Sequence, residues 1–188
     1  AFYLIYGLLN IDFADEQAAQ RELNVGEEVM LEAAVKRRID ERVPTAYLVR
    51  RAWFAGHEFY CDERALVPRS PLAELINGEF EPLLHEPAAK VLDICTGGGS
   101  IGIATALLWP DCEVDLVDIS SDALDLANKN IARHGLGNRV RAIESDLFDG
   151  IGSRYDLILA NPPYVPMDEY DELPAEFANE PSLGLISA

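Results

Sequence analysis

Long apolar runs are missing from this 188-residue chain. None approaches the roughly 20 residues that a membrane-spanning helix needs, so no membrane segment is expected. The opening Ala1-Phe2-Tyr3-Leu4-Ile5-Tyr6-Gly7-Leu8-Leu9 is too short for a leader peptide and lacks its basic flank. An initiator Met is missing too, and the sequence is expected to be a fragment. Cysteine is scarce: Cys61, Cys95 and Cys112 are odd in number and show no metal-ligand spacing. A reduced, cytoplasmic setting is the expectation, with no metal site. The three histidines, His57, His85 and His134, are scattered, and no Ser/His/Asp arrangement is discernible.

Positive charge is also in short supply. Fifteen Lys and Arg stand against 33 Asp and Glu, a net charge of −18. Proteins that grip nucleic acid draw most of their affinity from phosphate contacts, so direct nucleic-acid binding is not expected. A field of this sign attracts basic proteins instead. After Arg154 there is no Lys, Arg or His, while Asp156, Asp168, Glu169, Asp171, Glu172, Glu176 and Glu180 accumulate. Such a run is either a solvated acidic loop or a docking face for a basic partner.

Two periodicities divide the chain. Residues 26–42 read as a helix with Leu31, Val35 and Ile39 on its apolar stripe, ended by Val43-Pro44. His57 to Cys61, a polar Asp62-Glu63-Arg64 turn and Ala65-Leu66-Val67 read as a β-hairpin stopped by Pro68. A second helix is predicted from Pro71 through Ile76, and a boundary near residues 82–88. The expected units are residues 1–50, helical; 51–87, hairpin and linking helix; and 88–188. From Lys90 strands alternate with helices: Val91–Ile94, Val114–Asp118, Val140–Ile143 and Tyr155–Ala160 as strands, Ile101–Trp109 as a helix. A further helix is predicted to be capped by Ser121 and closed by Gly135. This order demands an α/β fold with a parallel sheet and right-handed crossovers.

The first of those strands runs into Cys95-Thr96-Gly97-Gly98-Gly99-Ser100-Ile101-Gly102, a glycine-rich loop opening a helix. Gly97, Gly99 and Gly102 match the G-x-G-x-x-G spacing, and Asp118 follows about 20 residues on, as in dinucleotide-binding proteins. A nicotinamide dehydrogenase therefore competes. Against it, Asp93 stands at the strand end, where an acid would repel a pyrophosphate but suit a cationic tail or sulfonium. S-adenosylmethionine accounts for that acid: Gly97 and Gly99 would make room for it and Asp118 would accept its ribose hydroxyls. Asp146 would border its adenine, although a turn or helix-cap role suits Asp146 nearly as well.

The most telling residues are Asn161-Pro162-Pro163-Tyr164, placed after a strand and so at the sheet edge where ligands bind in open α/β folds. Two prolines offer carbonyls without N–H groups, Asn161 adds a side-chain acceptor and Tyr164 an aromatic face. That set suits holding a planar –NH2 group during methylation of its nitrogen. An ordinary turn also begins with Asn-Pro or Pro-Pro.

Together these pieces resemble the glutamine methyltransferases of the HemK/PrmB type, a branch of the class I S-adenosylmethionine-dependent methyltransferases. The resemblance runs from about Val43 to the last residue. It rests on Glu41-Arg42-Val43-Pro44-Thr45-Ala46-Tyr47-Leu48, on Phe59-Tyr60 through Leu66-Val67-Pro68-Arg69, on the Asp93 to Gly99 loop, on Asp118-Ile119-Ser120 and on Asn161 to Tyr164. Within the family, Ala52 to Tyr60, Val67 to Ile76 and Cys95-Thr96 look like the PrmB branch, which acts on the third protein of the large ribosomal subunit. The Pro-Arg-Pro, acid, Thr, Glu pattern of the release-factor branch is not present. What the resemblance implies is methylation of a glutamine side-chain amide in a basic ribosomal protein. The same reaction on a release factor, or on adenine amino groups, are the alternatives. It further implies cofactor contacts from Asp93, Thr96, Gly97, Gly99, Asp118, Ile119, Asp146, Leu147 and Asn161. Asn161, Pro162 and Tyr164 would be catalytic, and these with Pro163 and Arg69 would meet the substrate, Arg69 more as a brace of the junction. The fold it implies is a Rossmann-like doubly wound sheet of seven strands, of which this chain carries four.

Overall fold

The computed structural model describes residues 2–12, 14–15 and 17–187. Helices α1 (Phe2–Leu9), α2 (Val25–Asp40) and α3 (Thr45–Val49) precede strands β1 (Arg51–Phe54) and β2 (His57–Tyr60) and helix α4 (Leu72–Asn77). Then come β3 (Lys90–Ile94), α5 (Ser100–Leu108), β4 (Glu113–Asp118), α6 (Ser121–Arg133), β5 (Val140–Glu144) and β6 (Leu157–Ala160), followed by short 3-10 turns.

The sheet is parallel, as predicted, and its strands lie in the order β5-β4-β3-β6, which was not predicted from the sequence. The chain moves one way from β3 to β5 and returns to place β6 on the other side of β3. That reversal is a topological switch point, and the crevice outside the strand ends there is where such sheets take ligands. One face of the sheet carries Val91, Val114, Leu116, Val140 and Leu159, packed against Ile101, Ile103, Ala104 and Ala106 of α5 and Ala127 and Ile131 of α6. Phe59, Ile76 and Phe80 join the same core, so β2, α4 and the turn after it are seated on the α/β unit. Opposite lie Leu92, Ile94 and Val117 under Ile151 and Tyr155. Among the described residues no helix is long and apolar enough to cross a membrane.

Three local expectations are corrected. The hairpin pairs β1 with β2, turning at Ala55 and Gly56, while Ala65–Val67 forms no strand. Both turn residues have positive φ, +46° and +80°, as a tight two-residue hairpin needs. On α2 the buried residues are Leu31 and Ala34, whereas Val35 and Ile39 are 40% and 58% exposed. The apolar spacing there is real, but that face has no covering element among the described residues. The cap of α6 is Ser120, whose extended backbone lets Oγ accept from the Ala123 N–H at 3.2 Å; Ser121 is already helical.

One buried side chain joins hairpin to sheet. Asn130 of α6 accepts from the Tyr60 N–H at 2.7 Å and donates to the Tyr60 carbonyl (3.2 Å) and the Gly98 carbonyl (2.8 Å). A second close fit holds α5 to the sheet. A Cβ on Gly102 would come within 2.3 Å of Leu116 Cδ2 and 3.0 Å of Asp93 Cβ. Gly102→Ala is therefore expected to destabilise the protein by about 1–3 kcal/mol, as overpacked cores do, read as a lowered midpoint in urea denaturation. An unchanged midpoint would mean the helix-to-strand distance is not limiting.

Candidate active site

Loops from three directions meet at the switch point around a cleft of about 190 Å³. Its floor is the glycine loop. Cys95, Gly97 and Gly99 all take positive φ, which turns the chain sharply between β3 and α5. Thr96 is buried, its N–H bonded to the Val117 carbonyl at 3.0 Å and its hydroxyl donating to Asp93 Oδ2 at 2.5 Å. The Gly102 N–H donates to the same carboxylate oxygen at 2.9 Å. Asp93 itself is fully buried and sits behind the lining, so its carboxylate fastens the loop from beneath. Burial pushes its pKa up to about 7; the bonds from Thr96 and Gly102 oppose the rise and the charge of Asp118 adds to it.

Asp118 ends β4 and faces the cleft. It accepts from the Gly97 N–H through Oδ2 at 2.8 Å and from the Ser120 N–H through Oδ1 at 3.0 Å. Each oxygen keeps a second lone pair for a ligand. Ile119, Asp146 and Leu147 line the same end, with Ile119 and Leu147 exposed as apolar flanks.

Across the cleft, at the end of β6, stand Asn161 and Pro163. Pro162 and Tyr164 lie outside the lining, and Tyr164 is 75% exposed. The remaining wall is the 65–70 loop facing Pro181, Leu183 and Gly184. Arg69 pairs with Glu180 at 2.8 Å, and its guanidinium stacks 4.5 Å above the Phe177 ring. The Glu180 side chain is only 1% exposed and also accepts from the Val67 N–H at 3.1 Å. Thus Arg69 is a brace between two walls as well as part of the lining.

Of the expected residues, Thr96, Gly97, Asp118, Ile119, Asp146, Leu147, Asn161, Pro163 and Arg69 line one crevice, whereas Pro162 and Tyr164 do not. Gly99 joins Asp93 behind the lining, its Cβ position filled by Ile103, Leu116 and Ala127 at 3.0 to 3.2 Å. Sequence reasoning missed Glu180, which it counted in the acidic run, and Ser70, whose hydroxyl lies 3.4 Å from Asn161 Oδ1. Only the partners 111 and 91 residues away give them roles, so no local signal marked either.

The model of the family described as Methyltransferase small domain matches residues 80–178, more than half of the chain. The chain belongs to this methyltransferase family. Its curated relatives include the ribosomal protein uL3 glutamine methyltransferase of Francisella tularensis subsp. tularensis, 44% identical over 190 residues, covering 98% of this chain and 60% of the relative. The enzyme of the same description from Xanthomonas campestris pv. campestris is 56% identical over 155 residues, covering 81% of this chain and 50% of that one. The chain thus spans between half and three fifths of the length of these two relatives.

The buried acid under the methyltransferase loop makes stability depend on pH. With its folded pKa raised above the unfolded value of 3.8, Asp93 favours folding below about pH 4, and this contribution is lost as pH rises to about 7. Measured against Asp93→Asn, the wild type is expected to lose relative stability across that window, at about 1.4 kcal/mol per pH unit between the two pKa values. A difference between the two proteins that stays flat from pH 4 to 8 would mean that Asp93 titrates as an ordinary carboxylate.

Proposed function

We propose that this protein transfers the methyl group of S-adenosylmethionine to the side-chain amide nitrogen of a glutamine in ribosomal protein uL3. The observation that carries the reading is that Asn161 opens into the same cleft as Asp118, from the opposite side of the switch point. The function of both relatives supports the choice of target.

The chemistry of the floor fits this cofactor better than a dinucleotide. Pyrophosphate sites use free backbone N–H groups at a helix N-terminus. Here the Gly97, Gly99 and Gly102 N–H groups are spent on Asp118, on the Thr96 carbonyl and on Asp93. The two cationic residues of the lining, Arg64 and Arg69, are engaged by Asp62 and Glu180. What the cleft offers is carboxylate acceptors for hydroxyls and apolar flanks, Ile119 and Leu147, for a flat base. Asp118, Ile119, Asp146, Leu147, Thr96 and Gly97 would hold the cofactor, with Asp93 and Gly99 shaping its bed.

When bound, the cofactor supplies an electrophilic methyl group on a sulfonium. The nucleophile is poor, because an amide lone pair is delocalised into its carbonyl. Asn161 Oδ1, in the cleft lining, accepts one N–H hydrogen, and the Pro162 carbonyl, just outside that lining, would accept the other; together they draw the nitrogen toward tetrahedral geometry as positive charge grows on it. Orientation adds to this effect. The exposed Tyr164 ring would cover the target amide and shed water. The target nitrogen would take up that methyl group and give one proton to solvent.

The net charge of −18 and the acidic stretch after Asn161 support a basic protein as substrate and speak against nucleic acid. We read residues 1–50 as the target-recognition part, 51–87 as the link and 88–188 as the catalytic part, working in the cytoplasm where ribosomes are modified.

Mass spectrometry of uL3 after incubation with the full-length enzyme and S-adenosylmethionine should show one added methyl group on a glutamine; methylation of a release factor instead would reassign the target. Calorimetric titration should show binding of S-adenosylmethionine and none of NAD. Asn161→Ala should lower turnover at least tenfold with cofactor affinity near wild type, and equal losses in both would remove its role. Docking of the target should weaken as salt rises, and salt-independent affinity would exclude the electrostatic component.

A further inference from the structure

We propose that Ser70 is a positioning residue that sets which end of the Asn161 carboxamide faces the target. The inference rests on the reading of Asn161 as the acceptor for the target –NH2 group. The two ends of a carboxamide have nearly the same shape and opposite hydrogen-bonding character. Turned by half a rotation, Asn161 would present its own –NH2 to a target that needs an acceptor. Something must hold the oxygen in place.

Ser70 is suited to that task. Its Oγ accepts from the Leu72 N–H at 3.3 Å, so one lone pair is used and its proton is left to donate. The group it meets is Asn161 Oδ1, at 3.4 Å. With the Leu72 N–H already on its oxygen, the hydroxyl directs its proton at Asn161 Oδ1 and so favours the carbonyl end of Asn161 there, while the second lone pair of Oδ1 stays open to the target. The contact is long for an O–H···O bond, so its expected contribution is modest.

The hydroxyl is held from both sides along the chain. Before it, Arg69 is clasped by the buried Glu180 carboxylate and by the Phe177 ring, and the Val67 N–H is bound to the same carboxylate. After it, α4 starts at once, with Leu72 packed against the main core and Ile76 buried within it. Ser70 thus joins a braced wall of the cleft to the residue placed to meet the target.

The test uses the full-length enzyme with its ribosomal protein target. Ser70→Ala is expected to lower kcat three- to tenfold, with KM for the target and Kd for S-adenosylmethionine within twofold of wild type. Ser70→Thr, which keeps the hydroxyl, should stay within twofold of wild-type kcat. In an Asn161→Ala background the Ser70→Ala change should cost nothing further, because the group it orients is gone. Three results would overturn the inference: wild-type kcat in Ser70→Ala, an equal loss with and without Asn161, or a loss of cofactor affinity in step with kcat. If Asn161→Ala itself kept full turnover, the role of Asn161 would fall and the role of Ser70 with it. Loss in Asn161→Ala without loss in Ser70→Ala would remove Ser70 alone.

Discussion

The buried Asp93 carboxylate accepting from the Thr96 hydroxyl and the Gly102 N–H fixes the path of the glycine loop, and the cleft takes its form from that loop. Burying an acid is costly, and its raised pKa records the cost. The return is that the loop and the first turn of α5 cannot move apart without exposing an unsatisfied group. The close approach of Gly102 to Leu116 reinforces this from the sheet side. Once the loop is fixed, its Gly97 N–H fixes one oxygen of Asp118, and the Ser120 N–H fixes the other. The start of α6 and the outer end of the cleft then follow.

The two sides of the cleft are built differently. The glycine-loop side is local, held by bonds that span from three to about twenty residues within successive β-α units. The Asn161 side is assembled from distant pieces. Arg69 meets Glu180, Ser70 meets Asn161, Arg38 of α2 pairs with Glu176, and Asn179 donates to the Glu41 carbonyl. Acidic residues that look like an uninterrupted solvated run in the chain therefore serve two purposes. Glu180 is buried as a clasp, while Asp168, Glu169, Asp171 and Glu172 remain on the surface.

This difference explains what was legible in the sequence. The strands β3 to β6, the loop between β3 and α5, and Asp118 announce themselves by local period and spacing, because a parallel sheet with helical crossovers repeats its physics in each unit. The hairpin was misplaced because its Ala55-Gly56 turn lacks the Asn-Gly or Asp-Gly signal, while Asp62-Glu63-Arg64 imitates a turn. The stripe of α2 was misread because apolar spacing reports amphipathicity and not which face finds a partner. Glu180 and Ser70 were invisible for the same reason. Their neighbours in space are set by the whole fold, and a sequence window does not contain them.

Asn130 makes hairpin and loop inseparable in a further sense. A single buried carboxamide satisfies both backbone groups of Tyr60 and the carbonyl of Gly98. A chimaera that swapped the hairpin with another backbone geometry, or drew α6 from a parent lacking this amide, would strand polar groups at the seam. Shuffling of these segments among homologues is thus constrained at a position outside the cleft lining, and position 130 has to travel with the segments it joins.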